Sequence, residues 1–185
     1  FNAGTTGLTP STATTGAITL AGTLNVANGG TGQTSFTSGY ILYGNGTSGI
    51  NSNANLYFDG TNLGLGVTLS SWNSGRAFEM GGGSVYSDSG NNGLSIVQNI
   101  YWNSGWKYKV ATLASALFST AVGSFTWYTA SGGGAGTAAT LNQVFIINNS
   151  GAFGFGSIAN YGTSGQVLTS SGTSAPPTWT TLSTG

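Results

Sequence analysis

Charge is what this sequence lacks most. Of 185 residues only six ionise, Asp59, Glu79 and Asp88 against Arg76, Lys107 and Lys109, which is 3% where an ordinary soluble domain carries about 25%. Three scattered cations make no basic stripe, and displacing counterions from a phosphate backbone needs one, so nucleic-acid binding is excluded as a function. With a net charge of zero, copies of the chain also have almost no electrostatic reason to stay apart. Solubility must come from hydroxyls and amides, from assembly that buries surface, or from both.

Histidine and cysteine are absent altogether. A Ser-His triad, a thiolate nucleophile and an ordinary zinc site are therefore unavailable, and no cofactor or metal site is expected. The missing cysteines also exclude disulfides, without indicating a compartment. Only three Pro accompany 33 Gly, and the glycines follow no Gly-X-Y period, which excludes collagen. Scattered between short apolar runs, they mark turns and bulges of a β protein. Val110 to Tyr128 runs without a charge, but its Thr112, Ser115, Ser119, Thr120, Ser124 and Thr126 argue against a membrane span. The opening residues show no charged and apolar signal-peptide pattern and begin at Phe1 rather than Met, so a mature or partial product is expected.

Aromatics are what the chain has in quantity: nine Phe, five Trp and eight Tyr. Each buries roughly 150–250 Å², and disordered chains are poor in them, so the chain folds, alone or once assembled. Four segments are expected. Residues 1–37 are a thin Thr/Gly/Ala stretch in which Ile18, Leu20, Leu24 and Val26 alternate with period two, as in a strand. A hairpin unit follows over 38–66, a dense β-sandwich-like module over 67–156, and a linker or shaft repeat over 157–185. Within the module, Leu94–Trp102, Asn103-Ser104-Gly105 and Trp106–Val110 read as a hairpin. Its second arm points Trp106, Tyr108 and Val110 to one face and Lys107 and Lys109 to the other. Ser124–Thr129 and Gln143–Asn148 read as further strands, and Leu113–Phe118 as a strand rather than a short helix.

Two internal echoes organise the chain. Residues 37–48 and 163–174 agree at seven of twelve positions, in the order turn, short strand, polar Gly turn. Asp59–Gly66 and Asn149–Gly156 share a form: each follows an apolar strand, turns through polar residues and returns as apolar-Gly-apolar-Gly. The return strand has one bare face, against which another chain's backbone is expected to pack.

Several of these runs are similar to segments of known fibres. Val26-Ala27-Asn28-Gly29-Gly30-Thr31-Gly32-Gln33-Thr34 resembles the GGTG segments that recur in tail fibres of tailed bacteriophages. Tyr57–Gly66 resembles their short hairpin units, and the stretch from Gln98-Asn99 through Trp106-Lys107-Tyr108 to Gly154-Phe155-Gly156 is similar to a module of marine-phage fibres. Gly165–Ser170 with Pro176-Pro177-Thr178-Trp179 resembles the linkers near the ends of such fibres. The resemblance implies a parallel, intertwined homotrimer, other virion proteins as partners, a place on the surface of the particle, and an end at Gly185 left by processing.

Chemistry is weighed against that structural role. A glycan-degrading spike needs paired carboxylates roughly 5–10 Å apart. Asp59 and Asp88 sit in turn sequences, and Glu79 has Arg76 three residues away as a surface partner, so no catalytic residue is assigned. Trp72, Tyr101, Trp102, Trp106 and Trp127 pack in the core or between chains, or stack on sugar; Tyr101 and Trp102 beside their turn, with Trp106, are the candidates for a host-surface glycan. An extracellular bacterial filament or adhesin would share the low charge and the repeats.

Overall fold

In the computed structural model residues 2–90 and 93–183 are described, so Phe1 and Gly185, read above as marks of processing, lie outside the described residues. The chain is all-β, and among the described residues it has no α-helix, only a 3-10 turn at Val26–Asn28. It divides into two compact units, residues 1–60 with 64–66, and residues 61–63 with 67–185.

The first unit is sparse. Strands β1 (Leu8–Thr9) and β2 (Ala21–Gly22) pair as a two-residue ladder, and β3 (Tyr40–Tyr43) pairs antiparallel with β4 (Asn51–Phe58). The expected strand over Ala17–Val26 is a correction. Only β2 forms there, Leu20 is 52% exposed, and Val26 enters the 3-10 turn. Alternation supplies an apolar face, but within one copy there is too little apolar surface opposite it to hold a longer ladder. Strand β5 (Leu63–Leu65) spans the sequence boundary between the units, and the Gly66 N–H donates to the Asn55 carbonyl.

The second unit is built on seven antiparallel strands. In chain order the strands of the unit are β6 (Arg76–Met80), β7 (Gly83–Ser87), β8 (Gly93–Gln98), β9 (Ile100–Trp102), β10 (Trp106–Tyr108), β11 (Ser115–Ala121), β12 (Ser124–Ala130), β13 (Asn142–Ile147), β14 (Phe153–Phe155), β15 (Gln166–Thr169) and β16 (Thr178–Thr181). The sheet order is β6-β7-β8-β11-β12-β13-β14, with β9 and β10 leaving it as a hairpin and β15 and β16 pairing separately. Val110–Tyr128 thus holds β11, a turn and most of β12, and no helix among the described residues is long and apolar enough to cross a membrane.

Asn99 is what lifts the hairpin out of the sheet. Sequence reading runs one strand from Leu94 to Trp102, but the chain breaks at Asn99, which takes a left-handed φ of 58°. Asparagine is among the few residues with a side chain that tolerate that conformation. Its buried amide accepts from the Val110 N–H at 2.8 Å and donates to the Val110 and Leu113 carbonyls at 3.1 and 2.9 Å. The side chain thereby pins the point where the hairpin departs to the point where it returns.

The hairpin folds back over one face of the sheet and is extended by residues 131–141. The Ala139 N–H donates to the Trp106 carbonyl at 2.9 Å, the Tyr108 N–H to the Thr137 carbonyl at 3.1 Å, and the Tyr108 hydroxyl to the Ser131 carbonyl. Val97 and Leu117 from the sheet, Ile100 and Tyr108 from the hairpin, and Ala130 form the core, with Trp72, Trp106, Tyr128 and Leu141 packed around it. The expected sandwich is therefore one large sheet covered by a hairpin and a loop, because Asn99 diverts residues 100–108 out of the sheet as a short two-stranded hairpin.

Both sequence echoes are structural echoes. The Tyr40 N–H donates to the Thr37 carbonyl at 3.2 Å and the Gln166 N–H to the Thr163 carbonyl at 3.1 Å, with Gly39 and Gly165 at φ 81° and 87° in the same turn position. A positive φ at the third residue of a hydrogen-bonded turn is what makes glycine necessary there. In the other echo, the bare face of β14 is filled by its own chain. A Cβ on Gly154 would lie 2.9 Å from both Ile146 and Tyr161, so this glycine admits a tyrosine ring of the same copy rather than another chain's backbone.

Candidate functional site

The two faces of the seven-stranded sheet differ in kind. Toward the hairpin, the strands present Ala77 and Glu79, Ser84 and Tyr86, Ser95 and Val97, Ser115 and Leu117, Thr126 and Ala130, all buried. Most of these side chains are small or hydroxylic. The opposite face carries an unbroken cross-strand row, one residue from each strand: Phe78, Val85, Ile96, Phe118, Trp127, Phe145 and Phe155, each directly paired with the next. Phe118 and Trp127 have ring centres 5.0 Å apart, Trp127 and Phe145 4.9 Å, and Phe145 and Phe155 5.1 Å. Alongside, Leu94, Phe125 and Phe153 are 47%, 46% and 52% exposed, and Ile96 in the row is 54% exposed.

On the hairpin side a single charged cluster is buried. The Glu79 carboxylate is fully enclosed and lies 2.5 Å from the Lys109 ammonium. It also accepts from the Ser70 N–H, the Ser70 hydroxyl and the Trp72 indole N–H, each at 2.8 Å. Burial alone would push this carboxyl up. The lysine and the other donors outweigh that and hold it below the usual carboxylate range. This corrects two expectations. Arg76 is not its partner, because residues three apart in a strand face opposite sides of the sheet, and the guanidinium donates instead to the Gly75 carbonyl. Lys109 does not share an outer face with Lys107 either. Strand β10 ends at Tyr108, and the Lys109 side chain turns inward to Glu79 and the Gly81 carbonyl. The cluster ties three segments of the unit together and leaves Glu79 no free lone pair for chemistry.

Where the small side chains of the sheet meet the free end of the hairpin, a cleft of about 410 Å³ opens, within the range of ligand pockets. Its floor is Ser95, Ser119 and Ala121, and its wall is the Trp102 and Trp106 rings, edge to face with centres 5.5 Å apart. Tyr86 lies between floor and wall, with its ring 5.6 Å from that of Trp106. Asp88, Ser74 and Ser89 form the rim. The cleft exists because bulky rings on one layer stand over side chains too small to meet them. Burial, with a smaller push from the Asp88 carboxylate and against a hydrogen bond from Ser74, raises the Tyr86 phenol above its ordinary value, so it keeps its proton at neutral pH.

Of the three residues that the sequence offered for sugar, Trp102 and Trp106 line this cleft and Tyr101 does not. Strand pairing puts Tyr101 opposite Lys107 on the other side of the hairpin, and its ring meets Trp72 edge to face at 6.2 Å. Sequence reading missed Tyr86 and Asp88, which lie on β7 and the turn after it. The cleft's lining holds one carboxylate, Asp88, where hydrolysis by paired acids requires two. Neither protein-family models, nor curated proteins, nor solved structures give a match to this chain.

Proposed function

We propose that the chain is a non-enzymatic structural segment of a bacteriophage fibre, on the surface of the virion, acting by self-assembly into a homotrimer. The observation that carries the self-assembly is the open aromatic face. Seven strands about 4.8 Å apart and some five residues long span on the order of 500 Å² before the relief of the rings is counted. That is the upper end of what monomers expose and approaches the ~800 Å² that each partner gives a stable interface. A second copy is the favoured occupant because the face is almost free of charge: Arg76 at one corner is its sole ionisable side chain among the described residues. A like face can therefore approach it without repulsion, and the chain's net charge of zero adds none.

The number three, the intertwined parallel arrangement, the virion and its other proteins rest on the resemblance of the GGTG and hairpin segments to phage fibres. An extracellular bacterial filament or adhesin uses the same open face and differs in symmetry, since a head-to-tail contact propagates and a threefold one closes. A glycan-degrading spike is disfavoured by the solitary carboxylate of the cleft. Light scattering over a dilution series separates these readings. A constant mass of three chains is expected, a mass rising with concentration favours the filament, and a stable monomer overturns assembly by either route.

A further inference from the structure

We infer that the cleft between the hairpin tip and the sheet is a binding site for a neutral pyranose sugar. The inference rests on the fibre reading only for where the sugar would be met, on a host surface; binding itself is a property of the cleft.

Three features converge on this ligand class. First, Trp102 and Trp106 present two perpendicular ring surfaces at the cleft wall, and both are half-buried. The C–H-rich face of a pyranose is the complementary surface: apolar, flat and rigid, so that stacking on an indole costs it little conformational freedom. Second, the rest of the lining is hydroxylic. Ser95 and Ser119 on the floor, 3.2 Å apart oxygen to oxygen, bond one another, as do Ser74 and Ser89 on the rim at 3.0 Å, where Ser74 also meets the Tyr86 hydroxyl. Hydroxyls both donate and accept, so each such pair can exchange its mutual bond for bonds to adjacent sugar hydroxyls with no polar group left stranded. Third, the charge is of one sign. Asp88 is an acceptor for sugar hydroxyls, and a charge-assisted hydrogen bond of that kind is the strongest polar contact available in the cleft. Among the described residues no cation lines the cleft, so a sialylated, uronic or phosphorylated sugar would bring a second negative charge close to Asp88. A flat aromatic ligand would use the indoles but gain nothing from the serine floor, and a peptide would find no hydrophobic floor.

The site also explains a feature that packing leaves unexplained. Serine and alanine on the floor of the cleft are poor choices for a core, yet the same strands bear leucine and valine further along, at Leu117 and Val97. Small side chains recur along the covered face, at Ser84, Ser115 and Ala130 as well, and those at Ser95, Ser119 and Ala121 are the ones beneath the cleft.

The test is a titration of the native full chain with methyl glucoside, methyl galactoside, methyl mannoside and N-acetylglucosamine, with sialic acid as an anionic control. Tryptophan fluorescence and saturation-transfer NMR report binding, and light scattering on the same samples reports assembly. Saturable binding of at least one neutral pyranoside in the millimolar range is expected. Trp102→Ala should weaken it by about tenfold. Asp88→Asn keeps the shape of the cleft and should also weaken it, which guards against misreading a Trp102→Ala chain that fails to fold. The inference is overturned if no neutral sugar binds, if sialic acid binds better, or if both variants fold and bind as the parent does. Because mass is read in parallel, a monomer that binds sugar would sink the fibre reading alone, and a trimer that ignores sugar would sink this inference alone.

Discussion

The covered and open faces of the seven-stranded sheet invert the usual rule of what lies inside. The covered face buries Ser84, Ser95, Ser115 and Thr126 together with a glutamate–lysine pair, whereas the open face lays phenylalanine, tryptophan and isoleucine side by side across seven strands. A chain that folded only to satisfy itself would place the open row beneath the hairpin too, beside the Trp72, Trp106 and Tyr108 rings already there, and the serines in water. The inversion means that the largest continuous apolar surface of the unit is not spent on the single copy. Its internal order rests on a modest core and on hydrogen bonds, and the aromatic surface is left uncovered by the strands and hairpin of its own unit.

That difference yields predictions that either face can fail. The largest effect belongs to the covered side. Glu79→Ala leaves the half-buried Lys109 with only the Gly81 carbonyl and strips the enclosed Ser70 and Trp72 donors of their acceptor, so chemical denaturation should show a loss of about 3–5 kcal/mol. The pH dependence follows from the same group. Its carboxyl is held lower in the folded chain than in the unfolded one, where it is ordinary, near ~4.3. The unfolded state therefore takes up the proton first. The contribution is complete above that value and is lost as pH falls toward the folded one. Thermal melting should be level from neutral pH down to about 5 and then decline, and the decline should be weaker in Glu79→Gln.

Neighbouring residues sharpen the comparison next. Leu117 and Phe118 are consecutive in β11 and face opposite ways, Leu117 into the core and Phe118 into the aromatic row. Leu117→Ala should cost about 3 kcal/mol in unfolding while leaving the number of chains unchanged. Phe118→Ala should do the reverse, disturbing stability little in a single copy and lowering the mass measured by sedimentation. Equal effects of the two on unfolding, with no change of mass for either, would erase the distinction between the faces. The smallest effect concerns Ser115, whose hydroxyl is buried without a hydrogen-bond partner. Ser115→Ala removes an unsatisfied group and should stabilise the chain by about 1 kcal/mol in the same denaturation experiment.

How much of this was legible in the sequence depends on the distance over which each feature is decided. The hairpin around Asn103-Ser104-Gly105, strands β12 and β13 and the two echoes are set by neighbours within a few residues, and alternation or a turn glycine reveals them. The break at Asn99 was hidden, because an asparagine inside an apolar run looks like one more outward strand residue. Its left-handed backbone is held by Val110 and Leu113, more than ten residues on. Glu79 was misassigned for the same reason: its true partner Lys109 is brought in by the hairpin's return, while the nearby Arg76 lies on the other face. At the cleft, the tryptophans flanking a turn were visible as candidates, but Tyr86 and Asp88 join them only through the pairing of β7 with β8. The long strand expected over residues 17–26 was read from periodicity alone, and periodicity does not report whether a partner strand is there.

The account stands on the open face being an interface between copies, and Trp127 is the largest side chain of its row, with Phe118 on one side and Phe145 on the other. The most direct measurement is the mass in solution of the parent chain beside Trp127→Lys, by light scattering at matched concentrations, with circular dichroism confirming the fold. The account predicts three chains for the parent and a folded single chain for the variant, because a lysine on that face cannot be buried against its own copies. A variant that keeps the parent's mass, or a parent that is monomeric at every concentration, would contradict it.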